Sequence, residues 1–304
     1  MTARMARAAL RVYPLAYRRR YGDEMRALLE EQPPRARTVL DLLRGALIAH
    51  LRPAESPAGA LDAGERIRAT ASGVLMCWVI FAAAGFAYYK TTEDSPFSAA
   101  AHAHPLLRDA HMAVQVVALA ASGMVVLGAL PLILAAVARA RRDPRAWRTV
   151  ALPLVPVIVF AILTIVVVGL AHTHNPGYHS GTTYGIATAW GIAGIACGVA
   201  CVLACRGALF ATPVAPGRLR AALVYGALVT VAMTVITVAT AIYAIALAAD
   251  AAHLAATPNG PFQVLSTLVS LVVVLIVMAL AALLAWTTTR RSWRVRDELG
   301  ASAA

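Results

Sequence analysis

The stretch AALVYGALVTVAMTVITVATAIYAIALA, residues 221–248, is 28 residues long and carries no charge. The hydrocarbon core of a bilayer is about 30 Å thick and a helix rises about 1.5 Å per residue, so about 20 such residues cross it. Five further segments have the same character: 70–89, 112–138, 149–171, 184–205 and 263–287. With a span at 220–248 they make six, the second and fifth long enough to tilt. Of the 304 residues, 60% are hydrophobic and 14% charged, against about a quarter charged in soluble domains. An ordinary soluble domain is excluded.

Arginine placement sets the orientation. Of the 27 arginines and lysines, 13 precede the first segment. Arg139, Arg141, Arg142, Arg145 and Arg148 follow the second, Arg206, Arg218 and Arg220 the fourth, and Arg290, Arg291, Arg294 and Arg296 the sixth. The alternate connections hold only Lys90 and Arg108. Cytoplasmic loops collect positive charge, so both termini are expected in the cytoplasm and the number of spans is even. The same placement accounts for the net charge of +12. These arginines flank spans and face anionic lipid, so nucleic acid is not an expected partner. The expected fold is all-α: a six-helix transmembrane bundle over 69–288, a small cytoplasmic helical cap over 1–52, a linker at 53–68 and a basic cytoplasmic tail at 289–304. The first apolar run begins about 70 residues in, without the pattern of a cleavable signal, and is expected to act as an uncleaved anchor. Lys90 is the only lysine, a bias that points to a GC-rich bacterial genome and hence to the plasma membrane.

The cap reads as three short helices. Thr2 is placed to cap a first helix running to about Val12, and Pro14 suits the first turn of a second. Tyr17, Tyr21, Met25 and Leu28 recur at helical spacing and form one expected face. Arg19–Asp23, Arg20–Glu24 and Arg26–Glu30 stand four apart and are expected to pair. Pro33-Pro34 stops the helix. A third helix is expected from Thr38 to about Leu51, with Leu40, Leu43 and Leu47 on one side. Helices this short need a packing partner: each other, the membrane surface or another protein.

LRVYPLAYRRRYGDEMRALL (10–29), followed by VLDLLRGAL (39–47), resembles the "permease prefix" that precedes the spans of some bacterial ABC-type permeases and opens many uncharacterised actinobacterial membrane proteins. Tyr13-Pro14, Arg18 to Arg20, Tyr21-Gly22, Glu24, Asp41 and Arg44 carry the resemblance, which covers about 50 residues. It implies a cytoplasmic module in front of a membrane domain and assigns no catalytic role. Those permeases hold a large folded domain between spans, whereas the connections here are short.

The span interiors contain no Asp, Glu, Lys, Arg or His, groups that ion-coupled carriers place at mid-membrane. No Gly-Lys dipeptide, HExxH or Gly-x-Ser-x-Gly occurs, so phosphate-loop, zinc-protease and serine-hydrolase chemistry lack their motifs. In the fourth span Ala187, Gly191, Gly194, Gly198, Cys201 and Cys205 share a face, and Gly194-x-x-x-Gly198 is a close-packing motif. Cys197, Cys201 and Cys205 also stack, which suits packing or, as the sharper alternative, a soft metal. No cysteine lies in an external loop, so a disulfide is not expected. Pro153 and Pro156 are expected to bend the third span. Thr230, Thr234, Thr237 and Thr240 are expected to bond to their own helix or to a neighbour.

Seven of the eight histidines fall on the side opposite the arginines. AHAHPLLRDAH supplies His102, His104 and His111, and AHTHNPGYH supplies His172, His174 and His179; His253 is the seventh. Neutral imidazole binds zinc and copper, so these two triplets are the candidate metal site, with Asp109 or Asp250 to complete or orient it. The plainer alternatives are boundary polar residues and an acid sensor. No obligatory cofactor is expected. The leading functional expectation is a non-enzymatic membrane protein, an accessory or regulatory partner of a transport or signalling complex docking through residues 1–52. The alternative is a small stand-alone transporter, which a polar cavity between spans would favour.

Overall fold

The computed structural model describes residues 2–13, 15–31, 36–51, 63–143, 146–174, 181–211, 216–259 and 265–301. Among these, the chain forms twelve helices: α1 (Thr2–Val12), α2 (Leu15–Glu31), α3 (Ala36–Leu51), α4 (Ala63–Thr92), α5 (Ser95–Ala103), α6 (Pro105–Arg142), α7 (Ala146–Ala151), α8 (Leu154–His174), α9 (Gly181–Ala211), α10 (Pro216–Asp250), α11 (Ala252–Ala256) and α12 (Thr267–Ala301). The described residues contain no strand beyond one isolated bridge between Pro258 and Ser266. Proline opens α6 and α10, where its missing N–H costs no helical bond.

The core is a four-helix bundle of α4, α6, α10 and α12, and its seams follow a seven-residue repeat. On α4 the buried row is Ile67, Thr70, Val74, Cys77, Phe81, Ala84, Tyr88 and Thr91, in alternating steps of three and four. On α10 it is Val229, Met233, Ile236, Thr240, Tyr243 and Leu247, and on α12 Thr267, Leu271, Val274, Met278, Ala281, Ala285 and Thr288. On α6 Leu107, Val114, Ala121, Gly128 and Ala135 are buried at intervals of seven. Such rows pack knob into hole at a shallow crossing angle. Small residues on α6 bring α10 close: a methyl at Gly128 would lie 2.7 Å from Tyr225 Cβ. Buried threonines satisfy themselves locally. Thr230 donates to Gly226 O at 2.8 Å and lies 3.3 Å from the Thr289 hydroxyl of α12. Thr234 and Thr237 bond back to Thr230 O and Met233 O, and Thr240 reaches Met278 Sδ at 3.8 Å.

α9 packs on α4, and α8 packs on α9 outside the core. The glycine row allows this. A methyl at Gly194 would lie 2.9 Å from Phe160 of α8, and one at Gly198 would lie 2.6 Å from Val79 of α4. Trp190 of α9 stacks on Phe160, meets Phe86 edge-on and donates to Thr164 Oγ1 at 2.9 Å. α8 therefore runs antiparallel to α9, and α9 antiparallel to α4.

Among the described residues, five helices are long and apolar enough to cross a membrane: Ile67–Thr92, Pro105–Arg142, Thr188–Leu209, Gly217–Asp250 and Thr267–Arg290. The segment expected at 149–171 differs. It breaks at Leu152–Pro153 into α7 and α8, because proline cannot donate the next helical bond, and the apolar stretch of α8 is the shorter Leu154–Leu170. Elsewhere the helices overrun the expected spans: α4 begins inside the expected linker, and α12 extends through the expected tail to Ala301.

In the cap, α1 packs on α2 and α3, and α3 touches α4. Its core is Leu10, Tyr13 and Ala46, with Tyr17, Met25, Leu29, Leu42 and Ala49 against it. Tyr13, Tyr17 and Tyr21 form a ladder with centroids 5.1 and 5.0 Å apart. Two expectations are corrected here. Leu29 rather than Leu28 turns inward; on α3 Leu40 and Leu43 share a side as expected, and that side faces outward while Val39 and Ala46 are buried. Arg26 pairs with Asp23 at 2.9 Å rather than with Glu30; the side chains of Arg19 and Arg20 lie outside what is described. Pro33-Pro34 and Pro14 also lie outside the described residues.

Candidate functional site

The histidine-bearing end is built where α4, α6 and α10 finish or begin. Tyr88, His111 and Tyr243, one from each helix, bring their rings together. Centroids are 5.9 Å apart for Tyr88 and His111, 5.5 Å for Tyr88 and Tyr243, and 5.9 Å for His111 and Tyr243. Both tyrosines are buried. His111 Nδ1 lies 3.0 Å from the Tyr88 hydroxyl, and the Gln115 amide nitrogen lies 2.9 Å from His111 Nε2. An amide nitrogen only donates, so Nε2 accepts and the neutral ring carries its proton on Nδ1, which donates to the Tyr88 oxygen. Both ring nitrogens are thereby engaged.

The other histidines are placed separately. His102 Nδ1 lies 2.7 Å from Ser98 O of its own helix. His104, at the corner between α5 and α6, has Nδ1 3.9 Å from Asp250 Oδ2 at the end of α10, so of the two candidate carboxylates Asp250 reaches a histidine. Asp109 pairs with Arg108 at 3.2 Å. His253 is exposed on α11. His172 and His174 fall in the last turn of α8, and His179 lies outside the described residues. Among the described residues no three His, Cys, Asp or Glu side chains gather as a metal site would require. Using His111 as a ligand would first break its bonds to Tyr88 and Gln115.

This end is also tied by hydrogen bonds to backbone carbonyls. Asn259 donates to Thr91 O at 3.1 Å, and Thr267 donates through both its N–H and its hydroxyl to Thr257 O at 2.9 Å. These bonds hold the connection after α11 against the end of α4.

The arginine-bearing half carries a cavity of about 430 Å³ between α4, α6 and α10 on one side and α7, α8 and α9 on the other. Its walls are apolar: Leu75 and Trp78, Ala129 and Ala136, Val157 and Val229 are representative, and Cys201 and Cys205 line it from α9. The cysteine stack thus splits, two thiols facing the cavity. All four cysteines are free.

Sequence reasoning missed both the aromatic trio and the cavity. Tyr88 and Tyr243 each stand near the end of a span, a position tyrosine favours for its wet edge, so position alone did not mark them. The cavity draws on six helices and has no motif.

The long apolar helices, with outward-facing side chains such as Leu119, Ile165 and Ile245, define an all-helical membrane protein that presents its sides to lipid. No protein-family model matches the chain, and neither a curated protein nor a solved structure matches it significantly.

Proposed function

We propose that the chain is a non-enzymatic accessory or regulatory protein of the bacterial plasma membrane, whose cap docks on a protein of a transport or signalling complex. The observation that carries this is the outward face of α3. Leu40 and Leu43 are 66% and 43% exposed while the opposite face of the same helix is packed. Residues 1–52 hold eleven arginines and five acidic residues, so a complementary partner presents an apolar patch with an acidic rim. The close-packed four-helix core and the apolar walls of the cavity support this reading over passage of a polar solute. In this reading α8 is a sixth span. Its apolar outer side and its antiparallel course beside α9 support that assignment, and the alternation of arginines supports cytoplasmic placement of both termini.

The test is purification from native membranes at native expression, with and without residues 1–52, followed by mass spectrometry. A companion present in stoichiometric amount and lost with the cap supports the reading. A companion retained without the cap, or none in either preparation, contradicts it.

A further inference from the structure

Three rows that line the cavity continue, one turn further toward the arginine-bearing end, into an arginine. On α4 the row Trp78, Leu75, Ala71 reaches Arg68; on α6 Ala129, Leu132, Ala136 reaches Arg139; on α10 Val229, Tyr225, Ala222 reaches Arg218. Residues three or four apart share a helix face, so three separate helices place a cation above one apolar pocket. Arg68 Nε is buried and has no hydrogen-bond partner among the described residues. A buried donor without a partner is costly, and its place on α4 one turn from the pocket-lining Ala71 points to an acceptor supplied from outside the chain. The pocket volume lies within the about 300–1,000 Å³ usual for ligand sites. It also sits between the α4–α6–α10 face and α7, α8 and α9, at the lipid-facing side of the bundle where an acyl chain can reach it from the bilayer.

We propose that this is a binding site for an anionic phospholipid, its acyl chain in the cavity and its phosphate among Arg68, Arg139 and Arg218. The arrangement divides the ligand by polarity. Apolar walls hold the chain by van der Waals packing, and the guanidinium groups favour the phosphate through charge-assisted hydrogen bonds. Bound lipid would also tether α8 and α9 to the core, since the cavity walls come from both. This inference stands independently of the docking role of the cap.

The experiment is native mass spectrometry of the full chain released from nanodiscs holding equal amounts of phosphatidylglycerol and phosphatidylcholine. The expected result is retained phosphatidylglycerol. With Arg68→Gln, Arg139→Gln and Arg218→Gln together, the ratio of phosphatidylglycerol to phosphatidylcholine adducts falls at least about fivefold, the size of one arginine–lipid attraction of about 1 kcal/mol. Ala129→Trp, which projects an indole into the cavity, lowers both adducts. Circular dichroism and size exclusion establish that each variant folds, and Arg68→Gln alone or Ala129→Leu replaces any that does not. Equal retention of the two lipids, a ratio unmoved by the arginine changes, or adducts undiminished by Ala129→Trp would each overturn the site.

Discussion

Gly198 of α9 lies so close to Val79 of α4 that a methyl group on the glycine would stand 2.6 Å from Val79 Cγ1. That approach, with Gly194 beneath Phe160, is how the α8–α9 pair holds to the core without a long interdigitated seam. Gly198→Leu is expected to destabilise the fold by about 1–3 kcal/mol, the usual cost of overpacking. Gly191→Ala is expected to be neutral or slightly stabilising, because a methyl there meets nothing within 4 Å and alanine favours helix. Thermal unfolding in detergent reads both. A Gly198→Leu protein as stable as the parent would show that α9 does not pack as described.

The trio of Tyr88, His111 and Tyr243 is a polar knot inside an apolar bundle. Tyr88→Phe strands the Nδ1–H of His111, and His111→Leu strands the Tyr88 hydroxyl; each is expected to cost about 1–3 kcal/mol. The double variant is expected to cost less than the two singles combined, because neither group is then left unpaired. Strict additivity in chemical denaturation would mean that the two side chains do not interact.

The cap responds to alkali through Tyr13. Burial, with the neighbouring Tyr17 adding to it, raises the Tyr13 phenol above its ordinary value. A raised folded pKa means stability that is complete below the unfolded value, about 10 for tyrosine, and lost as pH rises through the folded value. Limited proteolysis of the cap is therefore expected to accelerate above about pH 10. Tyr13→Phe removes this group's contribution. A proteolysis profile that is identical in parent and Tyr13→Phe excludes Tyr13 as its source. Gly45, where an added methyl would collide with the Tyr13 hydroxyl, offers a second handle: Gly45→Val is expected to loosen the cap at every pH.

The path of α8 decides the topology. Single cysteines in a cysteine-free background, at residue 30, at 144 and at 176, are expected to report accessible, accessible and protected from the cytoplasmic side with an impermeant maleimide. Labelling of residue 176 from the cytoplasm would place α8 on one side of the membrane and leave five spans.

The membrane class was legible from hydropathy and charge alone, because lipid demands long uncharged helices and the insertion machinery reads arginines. The packing was not. Through their spans α4, α10 and α12 are apolar on every side, and the threonines in their buried rows, such as Thr70, Thr91, Thr230 and Thr240, are too sparse to mark one face. The seven-residue row from Ile67 to Thr91 is therefore invisible to a hydrophobic-periodicity reading. Only where a helix meets water does the pattern speak, and on α2 it misled by one position: Leu28 and Leu29 are equally apolar neighbours, and it is Leu29 that packs into the cap core. The glycine row of α9 was legible, since close approach needs small residues whatever surrounds them. The histidines were legible as a set on one side, but their local partners, Ser98, Tyr88, Gln115 and Asp250, come from backbone geometry and from helices distant in sequence.

The docking role of the cap is tested most directly by a photo-crosslinking amino acid placed at Leu40 in native membranes, with Ile165 as the lipid-facing comparison. The account predicts a discrete protein adduct from Leu40, reduced when Leu43 is changed to Asp, and only lipid adducts from Ile165. Lipid adducts alone from Leu40 would contradict it and assign that face of α3 to the membrane surface.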